Sequence, residues 1–393
     1  MRVGIVVNEF FHDKLGGFGG YGFMAKSIAQ YFNLRLDSDL EFRIYLSRKS
    51  VSSIRKVHDT LVIFPPREGN LLKRGYSSLL QRRNLRWPDV FITIEFLERY
   101  LLHLSKVRGR PIIIWLQDPI DEKEWEKLES VKVEQDFIGI RDLKKLTFSR
   151  RAALKGFLEL SKRRNITVLF VTQANSLIER AESLYDRSIR APLLPNPIEI
   201  PQEVKWSEKS SKPSILFLGR LDPQKRPWLF CELARRMPKV DFFVAGMPHK
   251  PEIMEPILKP YRDIPNLHFL GLVTGQDKEK LLRRSWILVN TSVHEGLPVS
   301  WLEALAYKIP IIASVNTDEY ASRFGKFVGE FMREGFEAVP VFEEAIWCLI
   351  DNKELRENLG EKGFKHVSTV HSFSFFEKRL REILERIDDY KVT

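Results

Sequence analysis

The chain has only two cysteines in 393 residues, Cys231 and Cys348. Both fall in apolar stretches that read as helices, so the sequence predicts buried thiols in a reducing compartment, and a disulfide framework is excluded. Paired-cysteine motifs, H-E-x-x-H and Asp-x-Asp at a strand end are all missing, so no metal site is predicted. No stretch approaches the roughly 18 uninterrupted apolar residues of a spanning helix. The opening MRVGIVVNEF reads as a first strand and lacks the long apolar region of a signal peptide, which predicts a cytoplasmic protein. There is no internal repeat and no low-complexity tract.

Acidic excess is absent too, and the basic excess is unevenly placed. Residues 1–196 hold 34 Lys and Arg against 23 Asp and Glu, so the entire formal charge of +11 lies in the first half. Two segments carry much of it, 71–86 and 141–164, and both mix cations with apolar residues. This face either serves solubility or meets an anionic lipid or acceptor. No nucleic-acid signature accompanies the charge, so nucleic acid is not an expected partner.

With 44% apolar residues the chain can fill two cores of about 200 residues each. Short apolar runs alternate with amphipathic stretches, the pattern of parallel sheets covered by helices. Strands are predicted at 2–7, 42–47, 60–64, 90–94, 112–116 and 168–172. The pattern restarts with 214–218, 241–245, 267–270, 287–290 and 309–313. Helices are predicted at 21–34, 173–185, 227–236, 277–284, 300–307 and 373–389. Between the halves, 192–213 holds five prolines and reads as a linker or hinge. The predicted domains are 1–196, 197–372 and a terminal helical segment, 373–393.

Three motifs carry chemistry. The first is the glycine run Gly16, Gly17, Gly19, Gly20 and Gly22. It contains G-x-G-x-x-G but stands eight residues after its strand, and the second predicted strand ends without an acidic residue. Nicotinamide binding is therefore disfavoured. Such a loop leading into a helix can instead bring backbone N–H groups to a phosphate or sugar, or it is a plain surface loop. The second is Gly219-Arg220-Leu221-Asp222-Pro223-Gln224-Lys225, which follows a predicted strand. Its two cations either clamp a diphosphate or pair with neighbouring carboxylates. The third is Thr291 to Ala306, where Glu295 and Glu303 stand eight positions apart around a helix start shaped by Gly296 and Pro298. A helix N-terminus attracts an anion, and carboxylates beside it suit neutral donors such as sugar hydroxyls. Together the second and third describe a site for a nucleoside-diphosphate sugar.

These residues resemble retaining glycosyltransferases of family 4, which have the GT-B fold. The E-x7-E signature matches at Glu295 and Glu303, and G-R-x4-K matches at Gly219, Arg220 and Lys225. Pro195-Asn196-Pro197 is similar to that family's interdomain turn, and the terminal helix to the one crossing back to its N-terminal domain. The similarity is strong over 194–310 and weaker before it. It implies an α/β chain of two facing Rossmann-like domains with parallel sheets and an interdomain cleft. It implies Arg220 and Lys225 on the donor diphosphate, Glu303 on the ribose hydroxyls and Glu295 on the transferred sugar. The backbone of Gly296, Leu297, Pro298 and Val299 would approach sugar and phosphate, and Gly16, Gly17, Gly19 and Gly20 would close on the donor. The implied donor is a UDP- or GDP-sugar used without a metal or other cofactor. The acceptor would be a saccharide or a lipid-linked glycan of the cell envelope, reached by peripheral contact with an anionic membrane. A soluble acceptor, or another GT-B enzyme such as a nucleotide-sugar epimerase, is the alternative. One departure stands out. Where many members carry a histidine, this chain has Gln117, which leaves Asp118 as the nearest titratable group, either catalytic or a turn former. The loop histidines His12 and His294 read as structural.

Overall fold

The computed structural model describes residues 1–11, 19–48, 54–57, 59–65, 81–133, 143–390 and 392. The chain forms two compact units. The first comprises 1–121, 143–197 and 373–393, and the second 122–142 and 198–372. Residues 122–142 thus group with the second unit, although the sequence assigned them to the first domain. The terminal segment 373–393 groups with the first.

The first unit is built on a seven-stranded sheet of β1 (Arg2–Val7), β2 (Glu41–Leu46), β3 (Ile54–Val57), β4 (Thr60–Ile63), β5 (Val90–Ile94), β6 (Ile112–Leu116) and β7 (Val168–Thr172). The order is β3-β4-β2-β1-β5-β6-β7. β5, β6 and β7 are buried along their whole length, as expected for parallel strands covered on both faces. Only β3 breaks the parallel rule. It pairs antiparallel with β4 at the sheet edge, and the sequence reading missed it. The helix Gly20–Asn33 buries Met24, Ala25, Ile28, Ala29 and Phe32, one stripe at helical spacing. The last helix, Phe373–Glu385, buries Phe373, Phe376, Leu380 and Ile383 in the same way. Its Phe373 stacks on Tyr31 at 3.9 Å and its Phe376 lies 5.6 Å from Trp115. A separate short helix, Ile387–Tyr390, follows where one continuous helix was expected.

The proline segment begins as structure rather than as a free linker. Leu194 and Asn196 are buried, the Trp115 indole donates to the Leu194 carbonyl at 2.8 Å, and Thr172 bridges to Leu193.

The second unit has six parallel strands, β8 (Ser214–Leu218), β9 (Asp241–Ala245), β10 (Leu267–Gly271), β11 (Ile287–Asn290), β12 (Ile311–Ala313) and β13 (Gly325–Phe327), in the order β10-β9-β8-β11-β12-β13. The chain fills one side of β8 first and then the other. The topological switch point therefore falls between β8 and β11, where open parallel sheets open a crevice at the carboxyl ends of their strands. Cys231 is buried here, but Cys348 is exposed, against the expectation for both. Its position faces water on the helix Val339–Asp351, whose inward stripe is Val339, Phe342, Ile346 and Leu349. Among the described residues no helix is long and apolar enough to cross a membrane.

Candidate donor site at the switch point of the second sheet

The loops after β8 and β11 are stitched together by their backbones. Thr291 Oγ1 donates to the carbonyls of Lys225 and Arg226, and Val293 N–H donates to the Gln224 carbonyl at 2.9 Å. This brings Lys225 and Glu295 into a short ion pair, both side chains largely buried. The same Glu295 oxygen accepts from Asn290 Nδ2 at 3.1 Å and from Ser292 Oγ at 2.6 Å. With three donors on one oxygen, the carboxylate is fixed in direction at the switch point.

Beneath it lies Arg226, fully buried and at φ 45°. Its guanidinium donates to the carbonyls of Thr291 (2.7 Å), Phe331 (2.7 Å) and Ser292 (3.3 Å) and to Ser314 Oγ (3.2 Å). Burial pushes its pKa down to about 10. Arg226 thus ties the Glu295 loop to the segment after β13.

Glu303 sits in the helix Val299–Ala306, whose N-cap Pro298 offers no side-chain cap to the first N–H groups. Its carboxylate pairs with Lys278 at 2.5 Å, from the helix Gly275–Arg284. Gly296 is held through its carbonyl by Thr317 Oγ1 at 2.5 Å, and Leu297 is buried.

Arg220 extends from the end of β8 toward the loop after β9. Its Nη1 lies 3.2 Å from Asp222 and 2.8 Å from His249 Nδ1. Burial acts to raise the Asp222 pKa, but His249 and Arg220 outweigh it and hold the carboxyl below its ordinary range. Both motif cations therefore have carboxylate partners here, and both stand at the carboxyl ends of central strands, where an anion is suited.

His294 is fully buried, with Nδ1 2.5 Å from Glu124 of the helix Glu122–Ser130. Glu124 also pairs with Lys127 at 3.1 Å, and Lys127 with Glu330 at 3.0 Å. The structural role expected for His294 now has a partner, and that partner fixes the residue preceding Glu295.

The remaining predicted residues lie in the first unit. Gly16, Gly17 and His12 fall outside the described residues. A Cβ at Gly19 would lie 2.1 Å from the Glu9 carboxylate, so a side chain there would push Glu9 aside. That carboxylate accepts from Gly22 N–H at 3.1 Å, so it already meets the helix start that Gly19 and Gly20 lead into. Gln117 is buried, and its amide exchanges two 2.9 Å hydrogen bonds with Asn196. Gln173 joins them, accepting from Asn196 and donating to the Gln117 carbonyl. The helix predicted from Gln173 starts at Leu177.

Asp118 donates its N–H to Glu95 at 2.9 Å. Glu95 is a residue the sequence reading passed over. Buried at φ 62°, it accepts from the N–H groups of Gln117, Asp118 and Phe96 and from the Tyr185 hydroxyl. Burial raises its pKa against those hydrogen bonds. It follows β5 directly, beside β1, at the switch point of the first sheet.

Comparison with known proteins places this geometry in context. Residues 200–366 match the family model described as "Glycosyl transferases group 1". The O-antigen biosynthesis glycosyltransferase WbnH of Escherichia coli is 31% identical over 121 residues, 29% of this chain and 32% of WbnH. An uncharacterized glycosyltransferase of Methanocaldococcus jannaschii is 29% identical over 135 residues. The chain thus spans about a third of the curated relatives it matches, 32% and 34% of their lengths. Among solved structures, Anabaena HepE in complex with UDP-glucose superposes with a TM-score of 0.68 at 13% identity, over 98% of this chain and 100% of HepE. Sucrose-phosphate synthase from Thermosynechococcus elongatus gives 0.69 at 12% identity, over 99% of each chain. These likenesses show the fold, the α/β GT-B type that the sequence resemblance implied.

Proposed function

We propose that the chain is a retaining glycosyltransferase that moves a sugar from a nucleoside-diphosphate sugar, UDP- or GDP-linked, to an acceptor hydroxyl without a metal. The observation that carries this reading is the fixed Glu295 carboxylate at the switch point, tied to Lys225 and eight positions before Glu303. It lies inside the segment matched by the glycosyltransferase model. In this reading Arg220 and Lys225 stabilise the departing diphosphate. Glu303 takes the ribose hydroxyls and Glu295 a hydroxyl of the transferred sugar. The backbone from Gly219 and from Gly296 to Val299 lines the approach. The bond from the anomeric carbon to phosphate breaks as the bond to the acceptor oxygen forms on the same face. The departing phosphate oxygen takes the acceptor proton, so no protein base is required. In the first unit, Asp118 is the carboxylate proposed to orient the acceptor.

HepE is described with UDP-glucose and WbnH with O-antigen biosynthesis, which supports a nucleotide-sugar donor and a cell-envelope glycan or glycolipid acceptor here. A panel of UDP-, GDP-, ADP- and dTDP-sugars tests the reading by thermal shift. A ligand that binds only the folded chain at a hundredfold excess over its Kd adds about 2.7 kcal/mol of stability. One nucleotide class should raise the Tm and the others should not. No shift with any of them, together with no sugar release, would sink the assignment.

A further inference from the structure

His249 stands in the loop leaving β9, beside Arg220 and outside the two glycosyltransferase-like motifs. Its Nδ1 lies 2.8 Å from Arg220 Nη1 and 3.4 Å from Asp222 Oδ2. Its backbone N–H donates to the other Asp222 oxygen at 3.1 Å. The Asp222 side chain is only 3% exposed, whereas Arg220 and His249 are 30% and 38% exposed. A buried carboxylate therefore forms the floor, and two nitrogen groups face outward from it. The backbone fixes this arrangement. Gly219 N–H donates to Ala245 and Leu221 N–H to Met247, which extends the β8–β9 ladder into the loops. Gly246 has room for no side chain, because the Gly219 carbonyl oxygen lies 1.7 Å from where its Cβ would be.

Charge balance gives the ring a purpose. A nucleotide sugar brings two negative charges in its diphosphate. Lys225 is already balanced by Glu295 and Arg220 by Asp222, so these pairs add no net positive charge. A guanidinium only donates, so toward Arg220 the ring can only accept, with Nδ1 at 2.8 Å and Nε2 at 3.5 Å from Nη1. Once Arg220 turns onto a phosphate oxygen, Nδ1 faces Asp222 and an anion, and both favour a second proton. The charged groups against the ring are Arg220 and Asp222 from the β8 loop, with Lys250 beside it in the chain.

We propose that His249 is a third cationic ligand of the donor diphosphate, taking one proton from solvent as the donor binds, with Asp222 holding the imidazolium. This rests on the nucleotide-sugar reading of the same site. The test is titration calorimetry of the full chain, starting with UDP-glucose and continuing through the other nucleotide sugars of the panel. Each is run near pH 7.5 in two buffers of different ionisation enthalpy. The wild-type heat should differ between buffers by most of one proton taken up. His249→Gln should abolish that difference and weaken binding roughly tenfold or more, the scale of a charged hydrogen bond. His249→Lys should restore affinity without proton uptake. Equal wild-type heats in both buffers, or uptake that persists in His249→Gln, would overturn the role of His249 and leave the donor site standing. If His249→Gln fails to fold, the wild-type chain alone decides. Its affinity should fall as pH rises from 6.5 to 8, and a flat profile overturns the proposal. Binding of no nucleotide sugar at all would remove both the site reading and this inference.

Discussion

Lys225 and Glu295 occupy separate loops, yet each is the other's nearest opposite charge, so changing either disturbs both. Lys225→Ala removes a cation from the leaving group and one of three donors from the Glu295 oxygen. Turnover should fall on the order of 10², as when a preformed electrostatic donor is removed. Glu295→Gln should lower mainly kcat, and Glu303→Gln should raise mainly the donor KM, because only the first would touch the reacting sugar. Steady-state kinetics with unchanged constants in both glutamine variants would remove the pair from the site. Arg226 makes a different claim. Arg226→Met keeps bulk but leaves the buried carbonyls of Thr291, Phe331 and Ser292 short of donors. It should destabilise the chain by about 3 kcal/mol, measured from the urea midpoint. A wild-type midpoint would mean that these carbonyls find other partners. Arg220, Lys225, Glu295 and Glu303 were legible as candidates because each motif is contiguous in sequence. His249 was not, since its partners lie 27 and 29 positions away and only the strand order sets β9 beside β8.

At the scale of elements, most strands could be read from the sequence because a covered parallel strand is a short apolar run between turn residues. β3 could not, because its IRKV is half charged and pairs at an edge. The helix Glu122–Ser130 was also obscure, since EKEWEKLES carries no sign of which core it joins. Its attachments lie far along the chain: Glu124 to His294, Ser130 Oγ to Arg333 N–H at 2.8 Å, and Lys132 N–H to Glu334 at 3.1 Å. The consequence is testable. Glu124→Ala strips a carboxylate from the buried His294 beside Glu295. It should cost about 1–3 kcal/mol of stability and lower kcat as well. Glu124→Gln keeps an acceptor for Nδ1 and should recover much of both. Denaturation and kinetics that leave Glu124→Ala at wild-type values would make this helix a passive neighbour. The proline segment shows how a correct local signal can mislead. Its prolines do prevent helix, but the amide cluster around Asn196 and the Thr172–Leu193 bridge hold its start in the first unit.

The helix Leu143–Arg163 presents Phe148, 72% exposed, in line with Lys155 and Lys162, so its outward face is both basic and apolar. We propose that this face meets an anionic membrane, each basic residue adding roughly 1 kcal/mol. Arg151 is a poor probe of this, because it donates to the Ser183 and Leu184 carbonyls at the end of the helix Leu177–Tyr185. Phe148→Ser with Lys155→Gln should cut co-sedimentation with anionic vesicles. Equal binding to neutral vesicles would count against a charged contact. His103 contributes to the response to acid. It is buried, with Nε2 3.3 Å from the Leu46 carbonyl and the Tyr45 ring 5.7 Å away. Burial pushes its pKa down to about 4, the Leu46 contact opposes this, and Lys106 adds to it. The native state therefore keeps this ring neutral where the unfolded chain, at about 6.5, already binds a proton. The unfolded state binds more protons between these values, so His103 contributes stability in full above pH 6.5 and loses it as pH falls toward 4. The loss approaches about 1.4 kcal/mol per pH unit, on the order of 3 kcal/mol across the window. His103→Gln retains a donor for Leu46 and cannot titrate, so its unfolding free energy should fall less steeply with acid. Carboxylates and His366 titrate in both chains, which makes the difference between the two curves the quantity to read. That difference should narrow steadily from pH 7 to pH 4.5, and parallel curves would show that His103 takes up its proton as readily folded as unfolded.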